Sequence, residues 1–153
     1  MSITPQPPDI RSLRSDELAD LLGLYRYLHS SDPQMLANSE IASLWQSICA
    51  NPLLYYFGAD VDGRLVSTCT LAIIPNLTRS ARPYGLIENV VTHPDFRRRG
   101  IGTALLRHAL QLAWAQNCYK VMLLTGRNEP GTLRFYEQAG FTSGEKTGFV
   151  AKR

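Results

Sequence analysis

The sequence predicts a single α+β domain, a mixed α/β sheet flanked by about four helices, and three observations carry that prediction. Aromatic and β-branched residues dominate from Leu53 to Ile74 and break once, at Asp62-Gly63, as two antiparallel strands joined by a tight hairpin would. Apolar residues recur at helical spacing in several other stretches. A strand-like run, Leu86–Thr92, passes through a turn rich in arginine and glycine into the longest of those helices. With 153 residues, 44% hydrophobic and 19% charged, the chain suits one domain burying roughly 68–70% of its unfolded surface. Residues 9–153 are read as that domain and residues 1–8 as a flexible N-terminus.

In chain order, Asp9 to Leu13 reads as a short first strand. Ser15 can cap a helix whose apolar residues are Leu18, Leu21, Leu22, Tyr25 and Leu28. A second helix, about Glu40 to Ala50, carries Ile41, Leu44, Trp45 and Ile48 and stops before Asn51-Pro52. The hairpin follows, then a loop from Pro75 to Gly85 and the strand Leu86–Thr92. The helix from about Gly100 to Gln116 has a stripe of Ile101, Ala104, Leu105, Ala109, Leu112 and Ala113, with His108 inside it as a core or rim residue. Tyr119–Thr125 reads as a buried strand and Gly131–Ala139 as a short helix stopped at Gly140-Phe141. Two last strands are expected in Phe141–Lys152, around Gly144.

The turn Arg97-Arg98-Arg99-Gly100-Ile101-Gly102-Thr103 reads as one built to hold a phosphate, the other reading being a basic, solvated turn before a helix. Its glycines let the backbone come close to a ligand, and the first N–H groups of the helix have no intrahelical acceptor. The helix dipole favours an anion there by about 0.3–1 kcal/mol, and the arginines add charge-assisted bonds. A dinucleotide turn would need a glycine where Leu105 stands and an acid about twenty residues on, yet no acid lies between Asp95 and Glu129. The nucleotide-triphosphate loop G-x-x-x-x-G-K-[ST] is absent.

Arg97-x-x-Gly100-x-Gly102 resembles the pyrophosphate-binding motif of the GCN5-related N-acetyltransferases (GNAT), which bind acetyl-coenzyme A. Val90-Val91-Thr92-His93-Pro94 before the turn and the run Thr132 to Phe141 after it are similar to the two most diagnostic segments of that family, in the same order. The likeness spans Asp9 to the C-terminus. Ile87-Glu88-Asn89-Val90 and Cys118-Tyr119-Lys120-Val121 are further similar to the glucosamine-phosphate N-acetyltransferases, although Asn89 stands where those enzymes usually carry an Asp. The resemblance implies the family fold, a central, mostly antiparallel twisted sheet whose strands Leu86–Thr92 and Tyr119–Thr125 splay apart. It implies coenzyme contacts at Val90, Val91 and Thr92, through backbone groups, and at Arg97, Arg98, Arg99, Gly100, Ile101, Gly102 and Thr103. Seven residues before Tyr136, where the family often has a coenzyme-binding Asn, this chain has Glu129 with Asn128 beside it, and Asn128 can substitute after a one-residue shift.

Acetyl transfer needs a free amine, and freeing a lysine-like amine at pH 7 costs roughly 4–5 kcal/mol. Glu88, in mid-strand, is the candidate base, directly or through water; the other reading is a surface carboxylate on a half-exposed strand. Tyr136 matches the family's conserved tyrosine and is the candidate acid for the departing thiolate, uphill by only about 2 kcal/mol; it also stands among the coenzyme contacts. Its alternative is a ring packed in the core. A cysteine nucleophile is the weaker route, since Cys118 has no evident base. Arg79 and Arg82, in the loop before the Glu88 strand, are candidate contacts for an anionic acceptor, or else solvated loop charges.

These readings give an acetyl-coenzyme A-dependent N-acetyltransferase that acts on a small-molecule primary amine by direct transfer in a ternary complex. The alternative is a non-catalytic acyl-coenzyme A-binding module that senses or recruits. The net charge is +3 but unevenly placed, since every charged side chain from Arg97 to Arg127 is basic, yet the stretch lacks the interleaved aromatics of a nucleic-acid stripe. No apolar run reaches the ~18 residues that span a bilayer, so no membrane role is expected and the cytoplasm is the default. Three widely spaced cysteines predict neither a disulfide framework nor a metal site. A homodimer is what the nearest subfamily implies.

Overall fold

The computed structural model describes residues 6–33, 35 and 37–153. Of the N-terminus expected to be flexible, residues 1–5 lie outside the described residues. One sheet contains β1 (Asp9–Ser12), β2 (Leu54–Val61), β3 (Arg64–Ile74), β4 (Tyr84–Thr92) and β5 (Val121–Met122), in that spatial order. The first four strands pair antiparallel, and β5 lies parallel to β4. Helices α1 (Leu18–Tyr25), α2 (Ser39–Ala50), α4 (Ile101–Ala115) and α5 (Pro130–Ala139) flank it; α3 (Thr78–Ala81) is a single turn. The mostly antiparallel sheet with flanking helices is the fold class the sequence predicts.

The β2–β3 hairpin turns at Asp62 and Gly63, both with positive φ (51° and 76°), the requirement of the turn that follows right-handed strand twist. From Leu65 to Leu71 every residue of β3 is buried, because both faces of this central strand are covered. Leu105, Leu106, Ala109 and Ala113 of α4 pack on Phe57, Cys69, Leu71 and Ile87, and Leu24 of α1 packs on Leu65 and Val91. The start of α1 is tied to the sheet by Arg11, which donates at 2.6 Å to both Glu17 and Asp60.

Two irregularities mark β4. Thr68 faces Val91 and Thr70 faces Glu88, so two residues of β4, Asn89 and Val90, oppose one of β3, Cys69; the bulge falls at Asn89, whose φ is +53°. β4 and β5 share only the pairs Gly85–Val121 and Leu86–Met122. Beyond them the two strands part, and among the described residues β4 from Ile87 onward has no partner on that side.

Some boundaries differ from the sequence expectation. The strand expected over Tyr119–Thr125 pairs only at Val121–Met122, because the divergence from β4 removes its ladder. The two last strands expected around Gly144 are absent: residues 141–153 form neither helix nor strand. α1 ends at Tyr25 rather than near Leu28, since Leu28 closes a turn onto the Tyr25 carbonyl. The loop before β4 holds three consecutive left-handed residues, Arg79, Ser80 and Ala81.

Candidate active site

Between the diverging β4 and β5 lies a cleft of about 1090 Å³. One wall is β4 from Ile87 to Thr92; the other is formed by Leu123–Arg127 and by Phe135 and Tyr136 of α5. The N-terminus of α4 closes one end, and Tyr27, Leu28 and His29 from the segment after α1 also line it.

At the α4 end, Gly100 caps the helix in the left-handed region (φ 76°) and no side chain caps it. The first intrahelical bond is Ala104 N–H to the Gly100 carbonyl, so the amides of Ile101, Gly102 and Thr103 are left for a ligand. A Cβ at Gly102 would lie 3.0 Å from Phe135 Cε2 and 3.3 Å from Thr92 Oγ1, tighter than a side chain accepts without neighbours shifting. The two glycines therefore differ in purpose: Gly100 supplies a backbone angle and Gly102 a close approach. Arg97 and Arg98 line the cleft, and Arg97 Nε donates to the Thr92 carbonyl at 2.9 Å, joining the turn to the end of β4. Arg98 itself has φ +60°. These donors fit a diphosphate: three free amides, a helix dipole and two guanidinium groups converge on one end.

Glu88 is exposed and opens into the cleft, one residue before the bulge, and forms no ion pair among the described residues. Tyr136 faces the same cleft from α5 and is half-buried. Burial pushes its phenol above the ordinary tyrosine value; Arg127 pulls it down and Glu88 adds to the rise. It is a protonated donor at neutral pH.

Of the residues singled out from sequence, the cleft gathers Glu88, Val90, Val91, Thr92, Arg97, Arg98, Gly100, Ile101, Gly102, Thr103 and Tyr136. It does not gather Arg99, whose guanidinium lies 5.1 Å from the centre of the Phe96 ring. Asn128 is also absent from the lining, whereas Glu129 is present. Arg79 and Arg82 stand elsewhere. Arg82 donates to the carbonyls of Asn117 (3.3 Å) and Cys118 (3.2 Å), and Arg79 sits 5.7 Å from the Tyr119 ring centre. They flank the closed end of the β4–β5 pair, because the loop enters β4 at Tyr84, before the strands separate. Cys118 is buried outside the cleft with its thiol raised by burial, and burial pushes the Cys69 thiol up to about 12, so neither is a ready nucleophile.

The sequence reading missed Tyr27, Leu28, His29, Arg127 and Arg134 as cleft residues. Arg127 carried a signal, as the last member of the basic stretch after the turn. The segment after α1 carried none.

A splayed β4–β5 pair beside a helix end with three free amides and two arginines is a geometry that fits an acyl-coenzyme A-dependent transferase. The sequence profile of the acetyltransferase (GNAT) family matches residues 16–141, and the chain belongs to that family. It is an acetyl-coenzyme A-dependent N-acetyltransferase rather than the non-catalytic module that its turn alone would also allow. It is 32% identical over 139 residues to a glucosamine 6-phosphate N-acetyltransferase of Trypanosoma brucei brucei, covering 90% of this chain and 91% of that one. It is 27% identical over 136 residues to the human N-alpha-acetyltransferase 30, covering 89% of this chain and 32% of that one. Among solved structures, a putative acetyltransferase from Agrobacterium tumefaciens str. C58 superposes with a TM-score of 0.89 at 46% identity, over 95% of this chain and 99% of that one. No helix among the described residues is long and apolar enough to cross a membrane.

Proposed function

We propose that this enzyme moves the acetyl group from acetyl-coenzyme A directly to the primary amine of an amino-sugar phosphate, both substrates being bound together in the one cleft. The observation that carries the reading is that Glu88 and Tyr136, from opposite walls, line the same cleft as the free amides of α4. The amides of Ile101 to Thr103, with Arg97 and Arg98, hold the diphosphate. The unpaired edge of β4 at Val90–Thr92 offers backbone groups to the pantetheine arm. Glu88 takes the proton that the amine loses as its nitrogen bonds the acetyl carbon and the C–S bond breaks. Tyr136 hydrogen-bonds and protonates the departing sulfur.

The acceptor class rests on the relatives. The match named for glucosamine 6-phosphate spans nearly the whole of both chains, whereas the match to N-alpha-acetyltransferase 30 spans about a third of that protein. Cations for a phosphate lie in the cleft at Arg127 and Arg134, with the His29 ring as a further hydrogen-bonding group, and these replace Arg79 and Arg82 as the contacts to test. The cytoplasm is its compartment in this reading, in keeping with three free cysteines, and a homodimer is its working form.

The test is an initial-rate study with glucosamine 6-phosphate, glucosamine and a short peptide as acceptors. The phosphorylated sugar should give the highest kcat/KM by tenfold or more, with double-reciprocal plots that intersect. Parallel plots would refute direct transfer. A better rate with the peptide or a cationic amine would refute the acceptor class.

A further inference from the structure

Among the described residues, three buried side-chain oxygens have no hydrogen-bond partner: Asp60 Oδ1, Tyr25 Oη and Thr70 Oγ1. The first belongs to a carboxylate whose other oxygen takes two bonds from Arg11. The other two are hydroxyls, and they sit together. Burial and the neighbouring Tyr56 raise the Tyr25 phenol, and Thr70 and Asn89 are the polar side chains near enough to draw it back, although neither closes a bond with it.

Both hydroxyls stand behind the candidate base. Thr70 lies directly opposite Glu88 in the β3–β4 ladder, so the two side chains rise from one face with Cβ atoms about 4.5–5.5 Å apart. On either side of Thr70, Cys69 and Leu71 point into the core under α4, which turns Thr70 toward the face that α1 covers. Tyr25 is the last residue of α1. Neither Tyr25 nor Thr70 lines the cleft, whereas Glu88 does, exposed and without an ion pair among the described residues. A buried hydroxyl without a partner is destabilising, and Phe or Val in these places would remove that cost with little change of shape. A carboxylate supplies what the pair lacks, because it brings acceptors and no donor.

We propose that Tyr25 and Thr70 are positioning residues for Glu88: when substrates fill the cleft, its carboxylate turns in from solvent and accepts from the Thr70 hydroxyl, whose oxygen accepts in turn from the Tyr25 hydroxyl. This deepens the proposed function and rests on Glu88 being the base. The order of donation follows from the groups. The carboxylate can only accept, so Thr70 donates to it, and the Thr70 oxygen is then free for the Tyr25 proton. Burial keeps that proton on Tyr25 at neutral pH. One carboxylate oxygen is fixed by a charge-assisted bond, and the other faces the amine. The tie stands where the backbone gives least support, since the regular ladder breaks at the bulge directly after Glu88. It also reaches the acceptor: Tyr27, Leu28 and His29, just after Tyr25, line the cleft, so a molecule seated against them bears on the end of α1.

Steady-state kinetics on the full chain test the proposal, with acetyl-coenzyme A and the fastest of the three acceptors above, using Tyr25→Phe, Thr70→Val, Thr70→Ser and Glu88→Gln alone and combined. Tyr25→Phe and Thr70→Val should each lower kcat roughly tenfold, the scale of a lost hydrogen bond to a charged group, while both KM values hold. Thr70→Ser, which keeps the hydroxyl, should retain most of the rate. Placed on Glu88→Gln, neither change should lower the rate further, because both act through that carboxylate. Melting temperatures should hold or rise. A wild-type kcat in Tyr25→Phe and Thr70→Val beside a slow Glu88→Gln overturns the inference and leaves the base standing. Losses that multiply in full with Glu88→Gln overturn it too, as does a marked fall in melting temperature, which would give the hydroxyls a structural partner. A Glu88→Gln enzyme as fast as wild type removes the base, and the inference with it.

Discussion

Gly102→Asp should abolish coenzyme binding while leaving the domain folded, and the expected size of the loss follows from where the side chain must go. A Cβ at this position meets the Phe135 ring at 3.0 and 3.1 Å and Thr92 Oγ1 at 3.3 Å. The ring is half-buried at the cleft wall, so it can move, and the fold should tolerate the change. The carboxylate then stands among the amides of Ile101 to Thr103, where a diphosphate needs to be. Two unit charges about 4 Å apart near a protein surface repel by about 4 kcal/mol, and charged hydrogen bonds worth about 1.5–3 kcal/mol are lost besides. A loss of 100-fold or more in affinity is the conservative expectation. Isothermal calorimetry with coenzyme A at two salt concentrations reads it, with Gly102→Ala, expected to lose only a few-fold, separating bulk from charge. Gly100→Ala is a second control: nothing lies within 4 Å of its Cβ, so only the φ of 76° costs, about 1–2 kcal/mol. Unchanged affinity in a folded Gly102→Asp protein would falsify the placement of the diphosphate.

Tyr136→Phe should cut kcat by ten- to a hundredfold near pH 7 with coenzyme affinity nearly intact; because burial holds the phenol above its ordinary value of about 10, no alkaline loss of rate should trace to this residue below pH 10. By linkage, a group raised in the folded state contributes its full stability below about pH 10 and loses it as pH climbs through the folded value, so melting temperatures should fall on that side, with Tyr25, also raised by burial, adding to the slope. Glu88→Gln should depress the rate most at low pH, where free amine is scarcest; a flat ratio to wild type between pH 6 and 9 counts against its role as base. Arg82→Ala should lower stability by about 1–2 kcal/mol, through its two carbonyl contacts, and leave the acceptor KM unchanged; a tenfold rise in that KM restores the loop as an acceptor contact. Glu17 is held below the ordinary carboxylate range by its bond to Arg11, so its contribution is present above about pH 4.3 and lost as pH falls through the lower folded value. Arg11→Met should shift that acid transition upward and cost about 1–3 kcal/mol, read by urea denaturation.

How much of the fold and the cleft was legible in the sequence depends on how local the cause is. The phosphate turn was legible because each part acts within a few residues: Gly100 sets an angle, Gly102 a clearance, and the helix end supplies its own amides. The Asp62-Gly63 hairpin was legible for the same reason. The length of β5 was not, since Leu123, Leu124 and Thr125 are as apolar or β-branched as strand residues should be and lose their ladder only because β4 turns away. Nor was the fate of Arg79 and Arg82. Their loop does run into the strand of Glu88, but four residues of β4, Tyr84 to Ile87, separate its exit from that carboxylate, and the strands part only within that interval. Tyr27 and His29 reach the cleft by tertiary packing of α1, which leaves no local mark. Asn89 shows the opposite relation. From sequence it is a departure from an expected Asp and weakens the resemblance. In the fold it occupies a bulge at φ +53°, a region that Asn and Asp enter more readily than other side chains. The two residues are thus interchangeable for the backbone duty of turning β4 beside Glu88, and the departure touches only whatever charge an Asp would have added to the cleft.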